Sequence, residues 1–186
     1  RYYVMGERSV EELATDEEIK RMAEIVGESM DGGAVGFSTN RYPPHVGPDG
    51  RSIPGTYAEA KELLEIAKVV GEKRGLMQNV LDFGGQPEFS VKLLKDLAST
   101  TRDRILFSMG TGPDLESGKR VRGLLKELCS EGGDITAISQ PRSSGFMFGL
   151  QSGLPFAGET WDKIRAMDLK GRLAAIRDQE TRNKLI

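Results

Sequence analysis

The chain has 186 residues, with 26 Lys and Arg against 28 Asp and Glu, a formal net charge of −2 and 38% hydrophobic residues, enough apolar material for one ordinary core. The opposite charges are interspersed, so no basic stripe suited to a phosphate backbone forms and no nucleic-acid partner is expected. No apolar run approaches a bilayer span and the polar opening Arg1-Tyr2-Tyr3-Val4 lacks signal-peptide character, so no membrane partner is expected and a cytoplasmic location is the default.

Thr15-Asp16-Glu17-Glu18 predicts a capping box, in which the Thr15 hydroxyl caps a backbone N–H and Glu18 reaches back as its partner. Ile19, Met22, Ala23, Val26 and Met30 then recur at helical spacing, and Gly32-Gly33 releases the chain. A short strand over Ala34 to Thr39 ends in hydroxyls, as a buried parallel strand does where it surfaces. Thr56-Tyr57-Ala58-Glu59 predicts a second capping box, with Leu63, Leu64, Ala67 and Val70 as the inward stripe before a strand over Leu76 to Leu81.

Pro87 suits the first turn of a third helix, whose Val91, Leu94, Leu97 and Ala98 face inward ahead of a strand over Ile105 to Met109. Val121, Leu124, Leu125 and Leu128 mark a fourth helix, Gly132-Gly133 its end, and Ile135 to Ser139 a fourth strand. Cys129, the sole cysteine, is expected as a buried structural thiol on that helix. Spacings near thirty residues are those of βαβ units, so the fold class is α/β, with about four consecutive parallel βα units. Two arrangements fit: an arc of a TIM-like barrel, or an open doubly wound sheet of flavodoxin type. The second is disfavoured, because no phosphate loop or acidic switch-point cluster is visible.

Residues 1–142 thus hold the four units, and residues 143–186 form a loop and helical tail in the same domain. That tail is rich in Gly, Phe and Ser up to Gly158, with short helices expected over Trp161 to Met167 and Leu169 to Ile176. Its Gly145-Phe146-Met147-Phe148-Gly149 stretch reads as core or interface before it reads as a ligand pocket.

The segment Asn40 to Gly55 is the one long loop, and a loop of that length at a strand end suits a lid. His45, the single histidine, has no carboxylate or cysteine at ligand spacing and reads as a surface residue. Gly110-Thr111-Gly112 follows a strand, but Pro113 removes an amide donor and no Gly-Lys-Ser/Thr follows, which argues against a phosphate cradle. Arg142 follows the fourth strand, where a guanidinium could grip a carboxylate or form a structural salt bridge.

Several segments taken together resemble the N-acyl-D-amino-acid deacylase (D-aminoacylase) branch of the amidohydrolase superfamily. They are Tyr2-Tyr3-Val4-Met5-Gly6-Glu7-Arg8, Ala14-Thr15-Asp16-Glu17-Glu18, Asp31-Gly32-Gly33-Ala34-Val35-Gly36-Phe37-Ser38-Thr39 and Pro54-Gly55-Thr56-Tyr57-Ala58. The resemblance implies a partial TIM-like (β/α) barrel with a helical C-terminal tail, a central slice of a longer protein containing four of eight barrel units. It implies a parent hydrolase that uses zinc or another divalent metal to hydrolyse the amide bond of N-acyl-D-amino acids or related amides. It also implies substrate contacts near Asn40, Arg41, Tyr42, Gln140 and Arg142, with Asn79 and Ser108 as further strand-end candidates.

The family's middle-strand metal histidines are missing, since no His occurs in Leu76 to Phe83 or in Ile105 to Thr111, where Gln78, Asn79, Ser108 and Met109 stand instead. No catalytic residue and no metal ligand is therefore assigned, and this chain alone is expected to bind no metal and to be inactive. The reading that competes with a hydrolase fragment is a catalytically silent α/β binding module on the same scaffold. Half of a barrel leaves two sheet edges and an apolar inner face uncovered, so a homodimer is expected.

Overall fold

The computed structural model describes all residues except 48, 84, 102–103, 110–114, 131–133, 140–147, 152, 155, 157 and 186, and describes 101, 115, 117, 118 and 121 by their backbone. The chain divides into two compact units, one comprising Arg1–Val46 with Arg51–Pro141 and the other Gly47–Gly50 with Arg142–Ile186. Among the described residues, no helix is long and apolar enough to cross a membrane.

The first unit opens with a short helix, α1 (Tyr2–Met5), and a 3-10 turn, Gly6–Ser9. Neither carries a periodic apolar stripe, so the sequence pattern does not announce them. They are pinned instead by Arg1, whose guanidinium donates to Ser9 O at 3.1 Å and to Glu12 O at 2.6 Å and pairs with Glu62 at 2.9 Å. The carboxylate of Glu62 is buried, and desolvation pushes its pKa up, with Arg1 pulling it down.

Helix α2 (Asp16–Asp31) starts on the expected capping box: Thr15 Oγ1 accepts from Glu18 N, and Glu18 Oε2 accepts from Thr15 N. Its last turn closes through Gly33 N to Met30 O and Ala34 N to Ser29 O. Because the Ala34 amide is used there, strand β1 begins later than the apolar run suggests, over Gly36–Asn40. The second expected capping box does not form. Thr56 is buried in a turn with its hydroxyl donating to Ile53 O, and α3 (Ala60–Glu72) starts after Glu59 with no side-chain cap. Strand β2 (Leu76–Val80), α4 (Pro87–Thr101), β3 (Ile105–Ser108), α5 (Leu115–Ser130) and β4 (Ile135–Ile138) complete the unit, each close to its predicted position.

All four strands pair in parallel, in the order β1-β2-β3-β4. The register aligns Phe37 with Met77, Ile105 and Ile135, and Thr39 with Asn79, Phe107 and Ala137. These positions face the helices. Met77, Ile105 and Phe107 are fully buried with Leu63 and Ala67 of α3, Leu94 and Leu97 of α4 and Leu128 of α5, while Ile19 and Met22 of α2 pack with Ile66, Val70 and Phe37. Every helix of the unit in these clusters lies against this one face. A doubly wound sheet has helices on both faces, whereas a barrel has them on one, so this is an open arc of a (β/α) barrel.

The opposite face, Ser38, Asn40, Gln78, Val80, Leu106, Ser108, Thr136 and Ile138, is half-buried or exposed along its length. It was expected to be apolar, but its centre is polar. Cys129, expected to be buried, is exposed; it sits about a quarter-turn round α5 from the Leu124, Leu125 and Leu128 stripe.

The second unit holds α6 (Glu159–Arg165), α7 (Leu169–Arg177) and α8 (Gln179–Lys184). Asp168 and Asp178 cap the last two, accepting from Gly171 N and Thr181 N at 2.8 and 2.7 Å. Arg172 ties the unit by donating to the carbonyls of Leu150, Arg165 and Met167. Phe156 stacks on Trp161 with centroids 4.4 Å apart and meets Phe148 edge-on. The expectations for Phe146, Met147, Gly132-Gly133 and Gly110-Thr111-Gly112 concern residues outside those described.

Gly36 has no room for a side chain, because a Cβ there would fall 1.9 Å from Leu76 O on the neighbouring strand. Gly36→Ala is expected to cost at least about 3 kcal/mol in urea unfolding by overpacking against backbone. Gly123→Ala, on the exposed side of α5 with nothing within 4 Å of the added carbon, is expected to raise stability by about 0.5–1 kcal/mol.

Candidate functional site

Three strands bring polar side chains to the uncovered face. Ser38 Oγ donates to Gln78 Oε1 at 2.5 Å, and Gln78 Nε2 lies 3.4 Å from Ser108 Oγ. The link from β2 to β3 is diagonal, since Ser108 stands in register with Val80. Asn40 follows Ser38 by two residues and so shares its face at the carboxyl end of β1.

The loop after Asn40 is built on that residue. Arg41 N donates to Val80 O at 2.8 Å, prolonging the β1-β2 pairing. Asn40 Oδ1 accepts from Tyr42 N at 2.8 Å, and its Nδ2 lies 2.5 Å from His45 Nδ1. His45 N donates to Tyr42 O at 3.0 Å, and the two rings meet edge to face, 5.1 Å between centroids at 85°. An antiparallel bridge between Val46 and Ser52 closes the loop. His45 is exposed, as read from sequence, but it has a partner, the amide of Asn40 rather than a carboxylate or cysteine.

Of the residues singled out in the sequence, Asn40, Tyr42 and Ser108 lie at this end of the open face. Arg41 alternates to the helix side. Its guanidinium stacks on Phe89 of α4, 4.5 Å from the ring centroid, and Nη1 is buried with no hydrogen-bond partner among the described residues. Burial lowers the pKa of this guanidinium, with Glu62 opposing the shift. Asn79 also faces the helices. It is fully buried, its Nδ2 donates to Met77 O and Leu106 O at 3.3 Å each, and its Oδ1 has no partner among the described residues. Gln140 and Arg142 lie outside the described residues. Gln78 and Ser38 are the members of the polar row that were not among the substrate-contact candidates, although Ser38 was expected at the carboxyl edge; for Gln78 the signal was the parity of β2, on which Gln78 and Asn79 necessarily point opposite ways.

A separate cavity of about 280 Å³ lies among α1, α2, α3 and the start of β1, lined by Val4, Met22, Val26, Phe37 and Ile66 with the Arg1–Glu62 pair. It opens beside Gly36, at the amino end of β1, away from the polar row.

The site consists of neutral hydrogen-bonding groups. Among the described residues, no group of three His, Cys, Asp or Glu side chains is placed to hold a metal ion. Hydroxyls and amides are weak ligands for zinc, and the single imidazole already has Nδ1 engaged.

No protein-family model and no curated protein matches the chain. Solved structures of D-aminoacylase match it in fold: one studied for its binuclear metal center, one a mutant in complex with copper chloride, and one defining a novel subset of amidohydrolases. Each aligns with a TM-score of 0.60 at 17% identity, covering 75% of this chain and 28% of the other. The chain therefore spans about 28% of the length of those proteins.

Two expectations follow. After dialysis with zinc the chain should retain well under one zinc per molecule by elemental analysis; one tightly held zinc per chain would overturn the description of a neutral site. Asn79→Leu, which removes a buried acceptor without a partner but also the two Nδ2 hydrogen bonds to Met77 O and Leu106 O, should change stability by less than about 1 kcal/mol in urea unfolding, and a loss of about 2 kcal/mol or more would contradict it.

Proposed function

We propose that the chain forms the substrate-binding wall and lid of an amidohydrolase-type hydrolase that acts on the amide bond of N-acyl-D-amino acids or related amides. The observation that carries the reading is the polar row Ser38–Gln78–Ser108 continued by Asn40 and His45, on the open face of a barrel arc whose fold matches part of D-aminoacylase. Barrel enzymes assemble their sites at the carboxyl ends of the strands. Neutral donors and acceptors suit a ligand whose own polar groups are an amide and a carboxylate.

The divalent metal of the parent reaction would polarise the amide carbonyl and activate water. Among the described residues, those of the row do not fit that ion: they offer two hydroxyls and two carboxamides, and the imidazole presents no free Nδ1. Their part is to bind and orient the substrate. Held against the open face, an amide can exchange hydrogen bonds with Gln78, which is both donor and acceptor, while Tyr42 and the loop that returns through Val46 and Ser52 limit water access.

The same neutral row supports a second reading, a silent binding module that keeps the scaffold without the reaction. Both readings require binding. Titration of the chain with N-acetyl-D-leucine, followed through backbone amide resonances, should move Ser38, Gln78 and Ser108. Gln78→Leu should weaken that binding about tenfold, as expected for a polar ligand group left without its partner. Titration that leaves those resonances in place would remove both readings.

A further inference from the structure

The hydrogen bonds around Asn40 fix which nitrogen of His45 carries the proton. A backbone N–H can only donate, so the atom of Asn40 that meets Tyr42 N at 2.8 Å is Oδ1. The other terminal atom, facing His45 Nδ1 at 2.5 Å, is then the NH2 group, which can only donate. His45 Nδ1 is consequently the acceptor, and the neutral ring carries its proton on Nε2. Turning the Asn40 amide over would set its NH2 against the N–H of Tyr42, donor against donor.

Metal-binding histidines have the reverse arrangement, with one ring nitrogen donating to a carbonyl or carboxylate so that the other presents a lone pair. His45 presents an N–H. The backbone of His45 is also held by its amide N–H on Tyr42 O, its ring by edge-to-face contact with the Tyr42 ring, and Asn40 is anchored in the β1-β2 ladder. The result is a fixed donor on the open side of the sheet, at the carboxyl end of the strand that carries Ser38.

We propose that His45 Nε2–H is a ligand-binding donor that takes an acceptor oxygen of an N-acyl amino acid, its carboxylate or acyl carbonyl, with Asn40 as the positioning residue that sets the tautomer. This rests on the reading of the open face as a binding wall, and it assigns to the loop a recognition role that the polar row does not require. It also explains why an exposed histidine is tied to a strand residue: a donor left to rotate would lose part of its binding contribution to ordering.

The chain has a single histidine, so its nitrogen-15 imidazole spectrum shows one ring. In the unliganded chain, well above the titration range of imidazole, the spectrum should show a protonated Nε2 and an unprotonated Nδ1. Addition of N-acetyl-D-leucine should shift the Nε2–H resonance along the same binding curve as the amides of Ser38, Gln78 and Ser108. Asn40→Asp keeps an acceptor for Tyr42 N–H but puts a carboxylate opposite Nδ1, so it should move the proton to Nδ1 and weaken binding about tenfold. His45→Gln, which restores an N–H donor, should weaken it less than His45→Phe. A proton on Nδ1 in the unliganded chain overturns the proposal. Binding that moves the row but not Nε2–H also overturns it while leaving the binding wall intact, and absence of all binding removes both.

Discussion

The structure depends on one constraint: each chain segment between parallel strands returns across the same face of the sheet. Helices α3 to α5 therefore share one surface with α2, and the strand positions under them are apolar except for Thr39 and Asn79. The burial of Met77, Ile105, Phe107 and the leucines of α3, α4 and α5 follows from that constraint, each fully buried large side chain contributing on the order of 1.5–3 kcal/mol. The other face is released from it. Alternation along each strand then sorts side chains into core or open surface with a period of two, and the parallel register lines up the sorted positions across strands.

That sorting gives neighbouring polar residues different roles. Asn79 and Gln78 are adjacent in sequence and both carry a carboxamide, yet one is sealed against the helices while the other bridges serines on the open face. Inside, the Asn79 amide braces two strands by bonding the carbonyls of Met77 and Leu106, at the cost of an acceptor left without a partner. Outside, Gln78 keeps a donor and an acceptor where a ligand can exchange with them. Arg41 and Asn40 repeat the division one strand earlier: the guanidinium goes under to Phe89 and the carboxamide stays on top to order the loop.

The fold was legible because its signals are local. The Thr15-to-Glu18 capping box, the four helical stripes and the glycine exits all report their own segments, and strand ends fell within one or two residues. Where the reading slipped, a backbone group had a nonlocal or competing use: Ala34 N closes helix α2 and delays β1, and Thr56 serves a turn rather than the start of α3. The short elements around Tyr2 to Ser9 depend on the buried Arg1–Glu62 pair, formed across 61 positions, which no local pattern encodes. The site was half legible. Asn40 and Tyr42 were candidates through the family resemblance and Ser108 through its strand end, whereas Gln78 and Asn79 could be told apart only once parity was fixed, and the partner of His45 only once the loop had folded back on Asn40.

A site of hydroxyls, carboxamides and one imidazole has a chemical consequence of its own. Such groups recognise acceptor and donor patterns without the heavy desolvation cost of a buried charge, so the wall can favour one placement of an amide over another even though no single contact is strong. Discrimination then comes from geometry, since a neutral donor left facing a neutral donor is penalised much as a missing partner is. This is why Asn40 has more influence than its exposure suggests: by giving its oxygen to Tyr42 and its NH2 to His45 it decides the sign of the last group in the row, and the open face ends in a donor rather than an acceptor.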